Sequence, residues 1–158
     1  MDDLPTAALR QAFGAFATGV TIVTARDAAG TPAGMTVNSF TSVSLDPPLV
    51  LWCVQRGVPP AEVFVRAGHY AVHVLAADQR ALSDRFADPA TLGARFDGLP
   101  LDEGVAGLPL ITGCPTRMGC AVVQRHDAGD HVILVGRVLT LEHRAAAPLM
   151  FHAGRYLG

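Results

Sequence analysis

The sequence predicts a mainly β fold: a closed antiparallel barrel with peripheral helices packed outside it. Three features of the chain predict this. Short runs rich in β-branched residues recur, such as residues 20–25 (VTIVTA) and 69–76 (HYAVHVLA). Clusters of turn residues separate them, such as residues 27–32 (DAAGTP) and 46–48 (DPP). The runs are also so apolar that an open sheet edge would be an aggregation hazard, which closure removes. About six strands and two or three helices fit the pattern. A single domain over residues 1–158 is expected from the length.

The elements run in chain order. Asp3 and Pro5 mark a helix start. Leu9, Ala12, Phe13 and Phe16 then recur at helical spacing on one apolar face, with Gly19 as the C-cap. Residues 20–25 form a strand. Residues 34–45 (GMTVNSFTSVSL) read as an extended segment crowded with hydroxyls, and residues 49–54 (LVLWCV) as a buried strand. Pro59 and Pro60 open a short helix over residues 61–67, and residues 69–76 return to strand. Asp78 caps a helix that carries Ala81, Leu82 and Phe86. Residues 88–115 read as loop. Two long apolar runs, 117–126 and 131–143, flank residues 127–130 (DAGD) as a hairpin. The tail, PLMFHAGRYLG, has no clear period.

Composition excludes several function classes. Half of the residues are hydrophobic, the net charge is −2 and mean hydropathy is +0.32, so disorder is not the main state. All 12 basic residues are arginine. Without lysine there is no Schiff-base chemistry and no P-loop lysine. A pI near 6.3 and the lack of a basic run leave no footprint for nucleic acid. Cys53, Cys114 and Cys120 are an odd set without paired motifs, which points to a reducing compartment. The acidic N-terminus lacks the apolar stretch of a signal peptide, and no run approaches the roughly 20 residues of a membrane span. A cytoplasmic, soluble protein is expected.

Gly14 and Gly19 have phosphate-loop spacing, but Val20 stands where lysine is required, so helix packing and a cap explain them. Neither G-x-G-x-x-G nor G-x-S-x-G occurs. His69 and His73, on one strand, would lie roughly 13 Å apart, too far for one metal, and read as solvent-facing or partly buried. Cys114, Cys120, His126 and His131 match no compact zinc module. The carboxylates are scattered, with no acid/base pair. Such a chain either catalyses nothing or relies on a cofactor. The densest polar segment holds Thr36, Asn38, Ser39, Thr41, Ser42 and Ser44. Its hydroxyls and amides suit a phosphate or the polar rim of a flat heterocycle. They suit equally a strand bonded to its own neighbours.

Taken together, residues 13–24 (FGAFATGVTIVT), 34–50 (GMTVNSFTSVSLDPPLV), 70–86 (YAVHVLAADQRALSDRF), Phe96, Cys120, Gly129-Asp130-His131, Gly136-Arg137-Val138, Pro148-Leu149 and Gly154-Arg155-Tyr156 resemble the flavin reductase-like family. Its members are small reductases that supply reduced flavin to two-component monooxygenases. The resemblance implies an FMN-binding split barrel, a homodimer, FMN or FAD as flavin, and NADH or NADPH as reductant. It implies hydride transfer between the two bound cofactors, so no catalytic side chain and no metal. Thr36, Asn38, Ser39, Ser42 and Ser44 would line the flavin, with Phe86 and Phe96 near the ring or its tail. His131 and Tyr156 would meet the nicotinamide nucleotide. After Trp52-Cys53-Val54 the family tends to carry serine and threonine that hold the phosphate, whereas this chain has Gln55-Arg56-Gly57-Val58-Pro59-Pro60. Arg56 is either a substitute phosphate clamp or a solvated loop arginine. A flavin-binding electron carrier without NAD(P)H turnover is the alternative, because fold alone does not choose between them.

Overall fold

The β-branched runs become strands of one large antiparallel sheet. This computed structural model describes residues 3–157; Met1, Asp2 and Gly158 lie outside the described residues. The elements are α1 (Thr6–Gly14), β1 (Thr18–Gly19), β2 (Thr21–Arg26), β3 (Pro32–Val37), β4 (Thr41–Leu45), β5 (Pro48–Gln55), α2 (Ala61–Arg66), β6 (His69–Val74), α3 (Arg80–Ala87), β7 (Leu101–Glu103), β8 (Pro109–Ile111), β9 (Thr116–Ala128), β10 (His131–His143), β11 (Met150–His152) and β12 (Arg155–Leu157). A 7-stranded sheet has the order β3-β2-β6-β9-β10-β5-β4, with every neighbouring pair antiparallel. β1, β11 and β12 form a second sheet, and β7 pairs with β8.

The large sheet is rolled. Its edge strands β3 and β4 are joined by residues 38–40 alone. Four chain steps from Val37 to Thr41 cover at most about 14 Å, whereas six flat strand steps would need about 29 Å. Trp52 on β5 and Tyr70 on β6 are separated in the ladder by β9 and β10, yet their ring centroids are 5.8 Å apart. Both belong to one core with Val23, Val54, Val72 and Leu134. The ladder nevertheless ends at β3 and β4. The fold is thus mainly β, a rolled antiparallel sheet whose hydrogen-bonded ladder runs from β3 to β4. The edges are short, and β3 begins with Pro32, which has no N–H to offer another strand.

β2 and β6 are buried on both faces, which explains why their sequences are continuous apolar and β-branched runs. A second core of Val20, Ile22, Leu75, Phe86, Ile111 and Leu149 sits outside the roll. β9 and β10 turn through Gly129-Asp130, where Gly129 has φ 63°, a left-handed conformation that suits glycine.

Several local expectations are corrected. α1 ends at Gly14 with Ala15 as its C-cap, and Gly19 lies in β1. Its apolar face is not in the core: no residue of α1 is buried, and Phe13 and Phe16 are 71% and 79% exposed. α3 begins after Gln79, not at an Asp78 cap. The segment 88–115 contains β7 and β8, and the aperiodic tail forms the β11–β12 hairpin against β1. Those strands are only a few residues long and owe their order to tertiary contacts such as the Phe151–Tyr156 ring pair, 5.4 Å between centroids.

Candidate functional site

Gly34 and Thr36 alternate with inward-facing residues on β3, and so share its outer face. That face carries α3. The Thr36 hydroxyl donates to the Ser83 carbonyl at 2.6 Å. A Cβ on Gly34 would meet Phe86 at 2.5 Å and Phe96 at 3.0 Å, so glycine lets both rings close over the strand. Phe86 and Phe96 pack edge to face with centroids 5.1 Å apart. Ser83 Oγ lies 2.8 Å from Tyr156 Oη, and the Arg80 guanidinium lies 5.0 Å from the Tyr156 ring centroid. One helix thereby joins β3 to the tail hairpin.

A run of cavities lies along this junction. The first, about 190 Å³, is lined by Thr36, Asn38, Ala87, Phe151 and Tyr156. The second, about 320 Å³, shares Thr36 and Ala87 and adds Val58, Pro59, Phe86 and Arg95. The third, about 210 Å³, shares Leu92 and Arg95 and adds Gly34, Pro60 and Phe96. A larger depression of about 590 Å³ between the β2–β3 turn and α2 contains none of the residues expected at the site. The smaller set, neighbours that share lining residues, is the candidate site because the chemistry converges there.

The structure brings Thr36, Asn38, Phe86, Phe96 and Tyr156 to this groove. Phe86 is also fully buried in the second core. Ser39 is engaged elsewhere: its hydroxyl bonds both backbone groups of Cys53. Ser42 is exposed and Ser44 half-buried on edge strand β4, and neither lines these cavities. Arg56 and His131 lie at the β9–β10 turn, where Arg56 pairs with Asp127 and His131 Nδ1 lies 2.7 Å from Asp130 Oδ1. That bond holds the Asp130 carboxyl below its ordinary value.

Arg95 was missed because it lies in a stretch read as loop; its neighbour Phe96 was the only signal there. It is 5% exposed. Nη1 donates to the Gly34 carbonyl at 2.8 Å and Nη2 to the Asp88 carbonyl at 3.2 Å. Nε is buried and without a partner among the described residues. Burial lowers the Arg95 pKa from its ordinary value.

His73 is the other correction. It is fully buried, not solvent-facing; Nδ1–H donates to the Ile22 carbonyl at 3.0 Å and Nε2 accepts the Ile111 N–H at 2.9 Å. Burial pushes its pKa down to about 4. Burial pushes the Cys114 and Cys120 thiols up to about 11 and about 12, so both are protonated and inert at neutral pH. No group of three or more His, Cys, Asp or Glu among the described residues is placed to hold a metal. No helix there is long and apolar enough to cross a membrane.

The model of the family described as "Flavin reductase like domain" matches residues 13–158. The chain is 50% identical over 147 residues to FMN reductase (NADH) SmoA of Agrobacterium fabrum, covering 93% of this chain and 82% of that protein. It is 41% identical over 148 residues to the reductase component of the flavin-dependent trigonelline monooxygenase of Acinetobacter baylyi, covering 94% of this chain but only 47% of that relative's length. The structure of the NADH:FAD oxidoreductase SgcE6 of Streptomyces globisporus with NAD and FAD fragments superposes with a TM-score of 0.89 at 37% identity, covering 100% of this chain and 96% of that one.

Proposed function

We infer the activity of this chain from one premise: it belongs to the flavin reductase-like family. It is an NADH-dependent flavin reductase, taking FMN or FAD as the acceptor and supplying reduced flavin to a separate monooxygenase component. The observation that carries this reading is the groove along β3, where an amide, a hydroxyl and two aromatic rings meet at one cavity. The flavin-carrier alternative draws nothing from the relatives, which are named as reductases.

The residues present fit a flavin. The Asn38 side chain is exposed and makes no hydrogen bond among the described residues, so its amide is free for the polar edge of a heterocycle. Thr36 spends its proton on Ser83 and keeps lone pairs to offer. Phe151 and Tyr156 supply flat apolar wall. When bound, the flavin supplies the two-electron acceptor for a nicotinamide hydride. The chain's own work is alignment: α3 and the tail hairpin fix Tyr156, β3 fixes Thr36, and together they limit how two rings can lie. His131 positions the nicotinamide nucleotide and transfers no proton. Ser42 and Ser44 are assigned to the outer part of the flavin site.

The rolled sheet serves as the family's split barrel, held across its seam by core packing and Ser39. The exposed Phe13 of α1 and Phe16 just after it, with Leu45 on β4, suit a second copy of the chain, and the protein works as a cytoplasmic homodimer. Oxidation of NADH and NADPH in the presence of FMN, FAD and riboflavin tests the activity. Turnover with at least one pair is expected, and none with any pair overturns it.

A further inference from the structure

We propose that Ser83 on α3 is a positioning residue for hydride transfer: it couples the flavin wall at Thr36 to the nicotinamide side at Tyr156 and so registers one ring against the other. This role rests on the flavin reductase reading and adds to it the residue that ties the two walls together. Ser83 is fully buried and lines none of the three cavities along β3, so it touches neither ligand and acts through its neighbours.

Its two polar groups serve two different walls. The backbone carbonyl accepts the Thr36 hydroxyl at 2.6 Å, and the side-chain hydroxyl lies 2.8 Å from Tyr156 Oη. Thr36 and Tyr156 both line the cavity of Asn38. The position is apolar in its surroundings: Phe86, one turn on, is fully buried in the second core. A hydroxyl in such a place costs desolvation and needs a partner. Among the described residues its one side-chain partner is Tyr156.

The Tyr156 wall needs that support. β11 and β12 are three residues each, too short a hairpin to hold its shape alone. Phe151 packs on the Tyr156 ring from within the hairpin, and α3 grips it from outside. Ser83 takes the hydroxyl, and Arg80, one turn earlier on the same helix face, places its guanidinium 5.0 Å from the ring centroid. The start of α3 is itself pinned. The Ser83 N–H donates to the Gln79 carbonyl at 3.1 Å, and the Gln79 side chain accepts the Ala76 N–H at 2.8 Å and donates to the Gly113 carbonyl at 3.3 Å. A hydride, one proton with two electrons, leaves the dihydronicotinamide for the oxidised flavin, and a misplacement of about 1 Å can slow such a step about a hundredfold. Loss of the Ser83 hydroxyl loosens Tyr156 without emptying either pocket.

Ser83→Ala tests this, because it removes the hydroxyl and keeps the carbonyl that holds Thr36. Stopped-flow reduction of the flavin-loaded variant by NADH should slow about fivefold, with Kd for flavin and for NADH within about twofold of wild type. In the flavin-free variant, hydrogen exchange should quicken at residues 150–157 and stay unchanged in the β9–β10 hairpin. Tyr156→Phe removes the same contact from the other side and should slow reduction to the same extent. The double variant should be no slower than either single one. Three results overturn the proposal: an unchanged reduction rate in Ser83→Ala, a flavin Kd raised as much as the rate falls, as a purely structural loss would give, or additive losses in the double variant. Should Ser83→Ala fail to fold, Tyr156→Phe decides: slower reduction at unchanged affinities supports the role, and an unchanged rate overturns it. Wild-type oxidation of NADH with FMN or FAD reports on the reductase reading separately. Its absence overturns that reading, whereas turnover with an indifferent Ser83→Ala overturns the Ser83 role alone.

Discussion

The Ser39 hydroxyl grips both backbone polar groups of a single residue: it donates to the Cys53 carbonyl and accepts the Cys53 N–H, each at 3.0 Å. The side chain thereby extends the β4–β5 ladder into the crossing between the sheet edges. Its one proton is committed to a carbonyl, so Ser39 has none to give a flavin. Ser39→Ala leaves two half-buried backbone groups unpaired, at about 1–3 kcal/mol. A fall of several degrees in Tm is expected, with flavin Kd in the folded variant within about threefold of wild type. A large loss of flavin affinity at unchanged Tm would assign Ser39 to the ligand instead.

Gly34 allows Phe86 and Phe96 to lie against β3. A methyl group there would sit 2.5 Å from Phe86, whose ring is fully buried and has nowhere to retreat. Gly34→Ala is expected to cost about 1–3 kcal/mol by overpacking. Denaturant unfolding should show a lower midpoint at unchanged slope. An unchanged midpoint would mean that the rings move aside freely.

His73 makes folding pH-dependent. Its folded pKa is lowered to about 4, from 6.5 when unfolded, because burial penalises the charged ring. Between these values the unfolded chain gains a proton that the folded chain refuses. The stability tied to this neutral ring is full above pH 6.5 and falls as pH drops towards 4, by up to about 3 kcal/mol. Urea midpoints measured across that window should fall with pH. His73→Gln, less stable at every pH, should show a flatter dependence; an equally steep one would place the titration elsewhere.

The sequence made the strands legible where burial is continuous. β2 and β6 match the β-branched and apolar runs because packing on both sides selects such residues, whereas β5 and the β9–β10 hairpin are buried only in part and are marked by their apolar residues and the turn between them. Short elements were opaque: β11 and β12 exist because Phe151 and Tyr156 find each other, which no local period records. The same holds in the site. Thr36, Asn38 and Tyr156 stand out by residue type and resemblance, and the fold unites them. Arg95 does not stand out, since only the approach of residues 88–96 to β3 turns a loop arginine into a buried cation. His73 misleads for the opposite reason. Strand alternation does not reveal that a residue's other face is covered by β8, whose Ile111 N–H completes its hydrogen bonding.

α1 ends at Gly14, whose carbonyl accepts the Ala153 N–H at 2.8 Å, but none of its residues is buried and Phe13 on its apolar side is exposed. Exposed phenylalanines at positions 13 and 16 suit burial against a second copy. Phe16→Glu is expected to shift the protein from dimer to monomer in sedimentation. The monomer's own core should stay intact, because Phe16 contributes nothing to it. A wild type that sediments as a monomer would remove the proposed dimer.

His131 and Tyr156 separate the two binding events of the proposed reaction. Tyr156 walls the Asn38 cavity and is tied to Ser83, whereas His131 lies at the β9–β10 turn, bonded to Asp130 and lining none of the cavities along β3. Removing the Tyr156 ring opens the cavity itself. Tyr156→Ala should therefore weaken flavin binding and raise the KM for NADH together. Tyr156→Phe keeps the wall and loses only the Ser83 bond, about 1 kcal/mol. His131→Ala should raise the KM for NADH several-fold, of the order expected when a polar ligand contact is lost, with flavin Kd unchanged. Steady-state kinetics beside equilibrium flavin titration distinguishes these patterns. If His131→Ala weakens flavin binding more than it raises the KM for NADH, the histidine serves the flavin and its nicotinamide role is wrong.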